Sequence, residues 1–265
     1  MARDLHSQAR HFQIKLAETD DELIAAQRLR YRVFVEELGA HGPTVDHANR
    51  IEHDDFDSVY DHLLLIDTRR DPASLEHVVG VYRLLRSDVA LAGPGFYSAH
   101  EYDLTPLLET GRRLLELGRS CVDAEHRGGV AMYLLWNALA DYVLGHDIEI
   151  MFGVASYHGT DLQEIAQSLS YLWQNHLAPP DMRVRVREEY YQPLDLIPAD
   201  KIDRVRAMAQ TPALIKAYLR LGGFIGDGAF IDHDFNTTDV CLMMDTKRMS
   251  ARHREAYTRR AGGRG

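Results

Sequence analysis

Cysteine is nearly absent from this chain. Only Cys121 and Cys241 occur in 265 residues, with no Cys-x-x-Cys pair, which excludes a disulfide scaffold and predicts two buried thiols in a reducing compartment. Long apolar runs are missing too: stretches such as Leu63–Ile66 and Val130–Leu135 fall far short of the roughly 20 residues that cross a bilayer. The start, Met-Ala-Arg-Asp-Leu-His, lacks the charge-then-apolar pattern of a secretory leader, so a cytoplasmic location is expected. Positive charge is in deficit, with 30 Lys and Arg against 40 Asp and Glu and a net charge of −10. That balance argues against a nucleic-acid partner, since phosphate neutralisation needs a basic face. The 14 histidines show no His-Glu-x-x-His or similar ligand spacing, and no metal is expected.

What is present is an ordinary globular composition, 45% hydrophobic and 26% charged. The expected organisation is a flexible segment 1–11, one domain over 12–246 in which 156–193 reads as an insertion, and a basic, disordered tail 247–265. That tail carries seven basic residues against Glu255 alone, which makes peripheral contact with an anionic inner membrane an expectation. Thr19 followed by Glu22 forms a capping-box pattern, and the apolar period after it predicts a helix over 20–38. Strands are predicted at His62–Asp67, Val78–Arg86, Leu114–Val122, Ile148–Ala155, Met182–Tyr191, Phe224–Asp232 and Thr238–Asp245. Helices are predicted at Gly129–Leu144, Asp200–Ala209 and Thr211–Leu221, the last capped by Thr211. The order gives a mixed α/β class, a central mixed sheet with helices on both faces.

The sharpest local feature is a predicted strand, a glycine loop and an apolar helix in succession over Leu114–Leu135. Glycines at a helix entrance let the backbone approach a ligand and aim its N–H groups outward, which suits a phosphate. The stretch His126-Arg127-Gly128-Gly129-Val130-Ala131 resembles the signature of the GNAT acyltransferase superfamily, whose loop amides hold the phosphate of coenzyme A or phosphopantetheine. Leu219-Arg220-Leu221-Gly222-Gly223-Phe224 resembles the helix-to-strand junction of the same superfamily. The resemblance implies a GNAT-like fold and an acyl thioester donor, with Val122, His126, Arg127, Gly128, Gly129, Val130 and Ala131 holding its phosphopantetheine.

A pattern similar to the acyl-homoserine-lactone synthase branch can also be followed: Arg28 or Arg30 with Phe34, then Asp54 and Asp57, Arg83, Glu116 and Arg119. Where that branch has a Trp after the Phe, this chain has Gly39-Ala40, which sets it apart from lactone synthesis. Over about Phe12 to Asp245 the chain most resembles ornithine N-acyltransferases, on stretches such as Glu116–Val122, Phe152–Ser156, Leu214–Gly222 and Asp232–Val240. The resemblance implies transfer of a 3-hydroxyacyl group from acyl carrier protein, or from coenzyme A, to the α-amine of L-ornithine in lipid synthesis, with no permanently bound cofactor. Alternatives are lactone formation, acylation of another amino acid such as lysine or glutamine, and a non-catalytic carrier- or lipid-binding module.

Amide formation needs a neutral amine, and an α-amine of pKa about 8 is mostly protonated at neutral pH, so a base is required. Glu116 is the candidate, with Arg119 and Arg83 completing the catalytic group. Arg83 or Arg119 could grip the substrate carboxylate in a fork. Arg28, Arg30, Phe34, Asp54, Asp57 and Asp239 are the substrate-binding candidates, the acids serving the side-chain ammonium. Backbone N–H groups near Val122 are candidates for the oxyanion. Acyl carrier proteins are strongly acidic, and two basic groups could receive one: Arg183, Arg185 and Arg187, or Lys216 and Arg220.

Overall fold

The computed structural model describes residues 10–127 and 129–247. It divides into two compact units, Met1–Pro94 with Leu117–Asp147, and Gly95–Glu116 with Ile148–Gly265. Segments 1–9 and 248–265 lie outside the described residues, as does Gly128.

In the first unit, strand β1 (Phe12–Leu16) pairs antiparallel with β2 (Asp61–Asp67), which pairs antiparallel with β3 (Val78–Arg86), and β3 neighbours β4 (Leu114–Val122), of which Leu117–Val122 lie in this unit. Helix α1 (Asp20–Arg30) starts as the capping pattern predicts, Thr19 Oγ1 accepting from the backbone N–H of Glu22 at 3.3 Å. It packs Ala25, Ala26 and Leu29 with Leu64, Ile66, Val78, Val81 and Cys121. The opposite face belongs to α2 (Gly129–Gly145), which buries Ala131, Leu135 and Leu139 at helical spacing. Gly80 permits that approach. A Cβ there would meet Leu135 at 3.0 Å and Leu65 at 3.1 Å.

The helix expected over 20–38 changes character at its midpoint. After Arg30 the chain continues as a π-helix, Tyr31–Glu37, in which Leu38 donates to the carbonyl five residues back at Val33.

In the second unit, the first three residues of β4 run parallel to β5 (Ile150–His158), from Leu114 beside Ile150 to Glu116 beside Phe152. Strand β5 is antiparallel to β8 (Thr237–Asp245) along its whole length, and β6 (Phe224–Ile225) and β7 (Phe230–Asp232) are antiparallel to β8. Both parallel and antiparallel pairs are therefore present, and the mixed α/β class read from sequence is borne out.

Several expectations needed correction. The strand at Ile148–Ala155 begins two residues later and runs to His158, because Thr237 and Thr238 continue its ladder. Met182–Tyr191 keeps its alternation, with Val184 and Val186 buried, but only Arg185–Val186 finds a strand partner, at Tyr102–Asp103. Burial follows the pattern of the side chains; a ladder also needs a neighbour. Phe224–Asp232 splits into β6 and β7 around Gly226–Gly228, where Gly228 has φ +86° with Tyr191 packed against it. A helix absent from the sequence reading, α3 (Ala166–His176), lies within the supposed insertion. Helix α4 (Arg204–Gln210) starts late, capped by Asp203, whose carboxylate accepts from the N–H groups of Val205 and Arg206. Helix α5 (Ala213–Arg220) has Pro212 at its cap; the Thr211 hydroxyl instead donates to the carbonyl of Ala207 at 2.8 Å, closing α4.

Candidate active site

The first unit contains a buried cluster of six charges. Arg30, fully buried, donates from Nε to Glu52 at 2.5 Å and from Nη1 to Asp57 at 2.6 Å. Arg83 donates to Asp54 at 2.6 Å and to Asp57 at 2.8 Å, and Arg119 donates to Glu52 at 3.2 Å and to Asp54 at 3.3 Å. Three guanidinium groups thus face three carboxylates. Burial opposes charge on Arg30, Glu52, Asp54 and Asp57, but their partners outweigh it. Arg30, Arg119 and Arg83 hold Glu52 below the usual carboxylate range; Arg83 and Arg119 do so for Asp54, and Arg30 and Arg83 for Asp57. Glu52 and Asp57 likewise keep Arg30 above its ordinary value despite burial. His62 lies against the cluster, its Nε2 at 2.9 Å from the carbonyl of Asp57, and burial lowers its pKa.

These contacts decide between earlier alternatives. Arg30 joins the cluster, whereas Arg28 turns to the carbonyl of Ser74 at 3.4 Å, and Phe34 packs against the α1 core. Asp57 also accepts from Gln27 at 2.9 Å, so its carboxylate is filled by protein groups and is not placed as a pocket for a substrate cation. The guanidinium forks of Arg83 and Arg119, expected to grip a substrate carboxylate, are taken up by carboxylates of the chain itself.

Strand β4 carries an irregularity above this cluster. Arg119 has φ +47°, a left-handed conformation that costs an L-residue energy. Beyond it, Arg127 donates to the carbonyl of Val122 at 3.0 Å and forms a forked ion pair with Glu37. His126, expected at the phosphate, is engaged with Asp67 at 3.3 Å and Asp123 at 3.4 Å. Helix α2 begins at Gly129, and its first-turn N–H groups lack partners within the helix, the usual anion-binding arrangement. Val130 and Ala131 are buried behind it. Cys121 is also buried, which pushes its thiol up to about 12 and leaves it protonated.

In the second unit, Glu116, the candidate base, is buried, 1% exposed. Its two oxygens accept from the backbone N–H of Tyr97 at 2.9 Å, the N–H of Ser98 at 2.7 Å and the Ser98 hydroxyl at 2.5 Å. Phe96, at the start of that turn, packs edge-on against Phe152 with ring centroids 5.0 Å apart.

Asp239 lies in a group with Glu101 and Asp232, their nearest carboxylate oxygens all within 4.8 Å of one another. The Tyr102 hydroxyl donates to the carbonyl of Asp239 at 3.0 Å. Such an oxygen set suits a hard cation or an ammonium group. A further group, Asp123, Glu125 and His126, has the guanidinium groups of Arg70 and Arg32 near Asp123, which disfavours a cation there.

Of the two proposed basic surfaces, Arg183, Arg185 and Arg187 are engaged with the carbonyl of Ala178, with Asp227 and with the carbonyl of Ala99. Lys216 donates to the carbonyl of Met208 at 3.2 Å. Lys201, Arg204, Arg206 and Arg220 have no carboxylate partner among the described residues.

Sequence reasoning missed Glu52, Ser98, Glu101 and Asp232. Glu52 was within reach, since it opens the acidic run that contains Asp54 and Asp57. No spacing links Ser98 or Glu101 to the residues they meet. Among the described residues, no helix is long and apolar enough to cross a membrane.

Comparison with known proteins adds four findings. Residues 29–137 match the model of an acetyltransferase (GNAT) domain. Over 254 residues the chain is 59% identical to an L-ornithine N(alpha)-acyltransferase of Rhodobacter capsulatus, covering 96% of this chain and 97% of the relative. Over 247 residues it is 42% identical to one of Brucella abortus, covering 92% and 88%. Among solved structures, a CoA-dependent acyl-homoserine lactone synthase, BjaI, shares the fold with a TM-score of 0.52 and 16% identity, covering 96% of this chain and 91% of that one.

Proposed function

The chain belongs to the L-ornithine N(alpha)-acyltransferase family, and from that premise we propose that it joins the acyl group of a phosphopantetheine thioester to the α-amine of L-ornithine. The observation that carries this reading is the 59% identity to the Rhodobacter capsulatus relative over almost the whole of both chains. In the reaction the neutral amine attacks the thioester carbonyl, the C–N bond forms, the C–S bond breaks and the thiolate leaves with a proton. The amine sheds two protons from its cationic form, of which one ends on sulfur and one in solvent.

Glu116 is assigned to receive the amine's proton, by way of the Ser98 hydroxyl that it holds. The side-chain ammonium of ornithine has a pKa of about 10.4 and stays charged at neutral pH. It is assigned to Asp239 with Glu101 and Asp232, which would leave the α-amine as the nucleophile. The phosphate of the donor is assigned to the start of α2, at Arg127 and Gly128–Ala131. Arg30, Arg83 and Arg119 are assigned to holding the first unit's cluster rather than to gripping substrate.

The carrier of the acyl group is proposed to be acyl carrier protein, with a 3-hydroxyacyl chain. Lys201, Arg204, Arg206 and Arg220, exposed and without carboxylate partners among the described residues, offer an acidic protein a complementary surface despite the net charge of −10. Peripheral membrane contact through the basic segment from Arg248 onward is proposed on composition alone.

The reading is tested by incubating the purified chain with 3-hydroxyacyl carrier protein or the matching acyl-CoA and a mixture of ornithine, lysine and glutamine, followed by mass spectrometry. Singly Nα-acylated ornithine is expected, formed faster from the carrier protein. Acylation of another amino acid instead, or no transfer from either donor, overturns it.

A further inference from the structure

We infer that an acidic cleft beside the end of β8 is a docking site for the chain's own basic segment, from Arg248 onward, and takes an arginine side chain from it. The cleft lies wholly within the second unit and has a volume of about 330 Å³. Pro106 and Met182 give it an apolar wall, and Glu109, Arg112, Asp181 and Asp245 give it charge. The acyl transfer assigned above makes no use of it. Asp239 and Asp245 stand at opposite ends of a six-residue stretch of β8, which separates the cleft from the carboxylate group at Asp239 by roughly 20 Å.

The charges in the cleft do not balance. Arg112 forks onto Asp245, donating from Nη2 at 2.6 Å and from Nη1 at 2.9 Å, and Lys247 Nζ lies 2.5 Å from Glu149. Both of these cations at the end of β8 are therefore engaged. Glu109 and Asp181 are exposed, and their carboxylates have no ion-pair or hydrogen-bond partner among the described residues. Arg183, close to Asp181 in sequence, donates instead to the carbonyl of Ala178 at 2.7 Å. Two open carboxylates beside an apolar wall suit a cation carried on an apolar stem, and a guanidinium can engage a carboxylate with two parallel N–H groups.

The segment that follows β8 supplies such groups. From Arg248 onward it holds six arginines against a single acid, Glu255. Asp245 itself lines the cleft, and the backbone N–H of Lys247 donates to its carboxylate at 2.9 Å, so the chain approaches Arg248 at the rim of the cleft. A chain extends by at most about 3.6 Å per residue, which puts Arg248, Arg252 and Arg254 within reach. Each exposed ion pair is weak, but a partner tethered by a few residues is presented at an effective concentration on the order of millimolar, and two carboxylates act together. Arginines held there are withheld from other anionic surfaces, so docking competes with the membrane contact proposed above.

The test is limited trypsin digestion of the full chain, in the parent and in a Glu109→Gln/Asp181→Asn variant. Cleavage after Arg248, Arg252 and Arg254 is followed by mass spectrometry and taken relative to cleavage after the exposed Arg10 in the first unit. Docked arginines are shielded, so the variant is expected to be cut in the basic segment about threefold faster or more, with its melting temperature unchanged. Salt at about 0.5 M is expected to bring the parent up to the rate of the variant, because exposed pairs are screened. Equal relative rates for parent and variant at low salt overturn the inference. So does protection that grows with protein concentration, which places the segment of a second copy in the cleft.

Discussion

Each unit gathers three carboxylates, and the two groups differ in how those acids are arranged. In the first, Glu52, Asp54 and Asp57 face Arg30, Arg83 and Arg119 across distances of 2.5–3.3 Å, so the group is neutral and closed. In the second, Glu101, Asp232 and Asp239 bring oxygens within 4.8 Å of one another, a set of hard oxygen donors that suits a cation. Both groups are acids in loops and strands, and both would be shortlisted for an ammonium substrate. The comparison teaches that a carboxylate's candidacy falls where opposing guanidinium groups are supplied in full, as they are in the first unit.

The comparison breaks most visibly at Arg30. Replacement by Ala leaves Glu52 and Asp57 buried with an uncompensated charge, and a loss of about 3–5 kcal/mol in unfolding free energy is expected from denaturant titration. A stability change below about 1 kcal/mol would mean that the cluster is loosely held. At the other group the effect should appear in binding instead. Asp239→Asn is expected to raise KM for ornithine by about tenfold or more, as for a lost charged hydrogen bond, with the melting temperature nearly unchanged. Loss of folding without a KM effect would reverse the two assignments.

The smallest expected effect concerns His62. Burial holds its pKa below the ordinary value, so between that lowered value and about 6.5 the unfolded chain binds a proton that the folded chain refuses. Its contribution therefore erodes stability as pH falls below about 6.5. His62→Gln should flatten that slope. The steeper loss below about pH 4 should persist in the variant, because Glu52, Asp54 and Asp57 are held below the carboxylate range and their stabilisation drains only as they take up protons.

Much of the scaffold was legible because single elements announce themselves. The strands at Val78–Arg86 and Leu114–Val122 keep the boundaries their apolar runs suggest, and α2 closes at Gly145. Helix α3 was hidden by its serines. Ser168 and Ser170 are fully buried, satisfied by Tyr157 and Thr211 and by the carbonyl of Leu194, and they interrupt the apolar period that would have revealed a helix. The π-helix was equally invisible, since Tyr31–Glu37 carries no composition that sets it apart from α-helix.

In the candidate site, the signs of the charges could be read but not their pairing. Arg30 and Asp57 lie 27 residues apart and Arg83 and Asp54 lie 29 apart, so only tertiary folding shows that these candidates neutralise one another. Glu116 illustrates the same limit. Its partners, Tyr97 and Ser98, stand 19 and 18 residues away with nothing in the intervening sequence to point to them.

Cys121 belongs to the first unit and Cys241 to the second, and both thiols are buried and protonated far above neutral pH. Each half of the molecule therefore carries one silent reporter. An alkylating reagent at neutral pH meets a thiol only when that half opens, so peptide mapping of the two labels over time separates the lifetimes of the halves without any engineered probe.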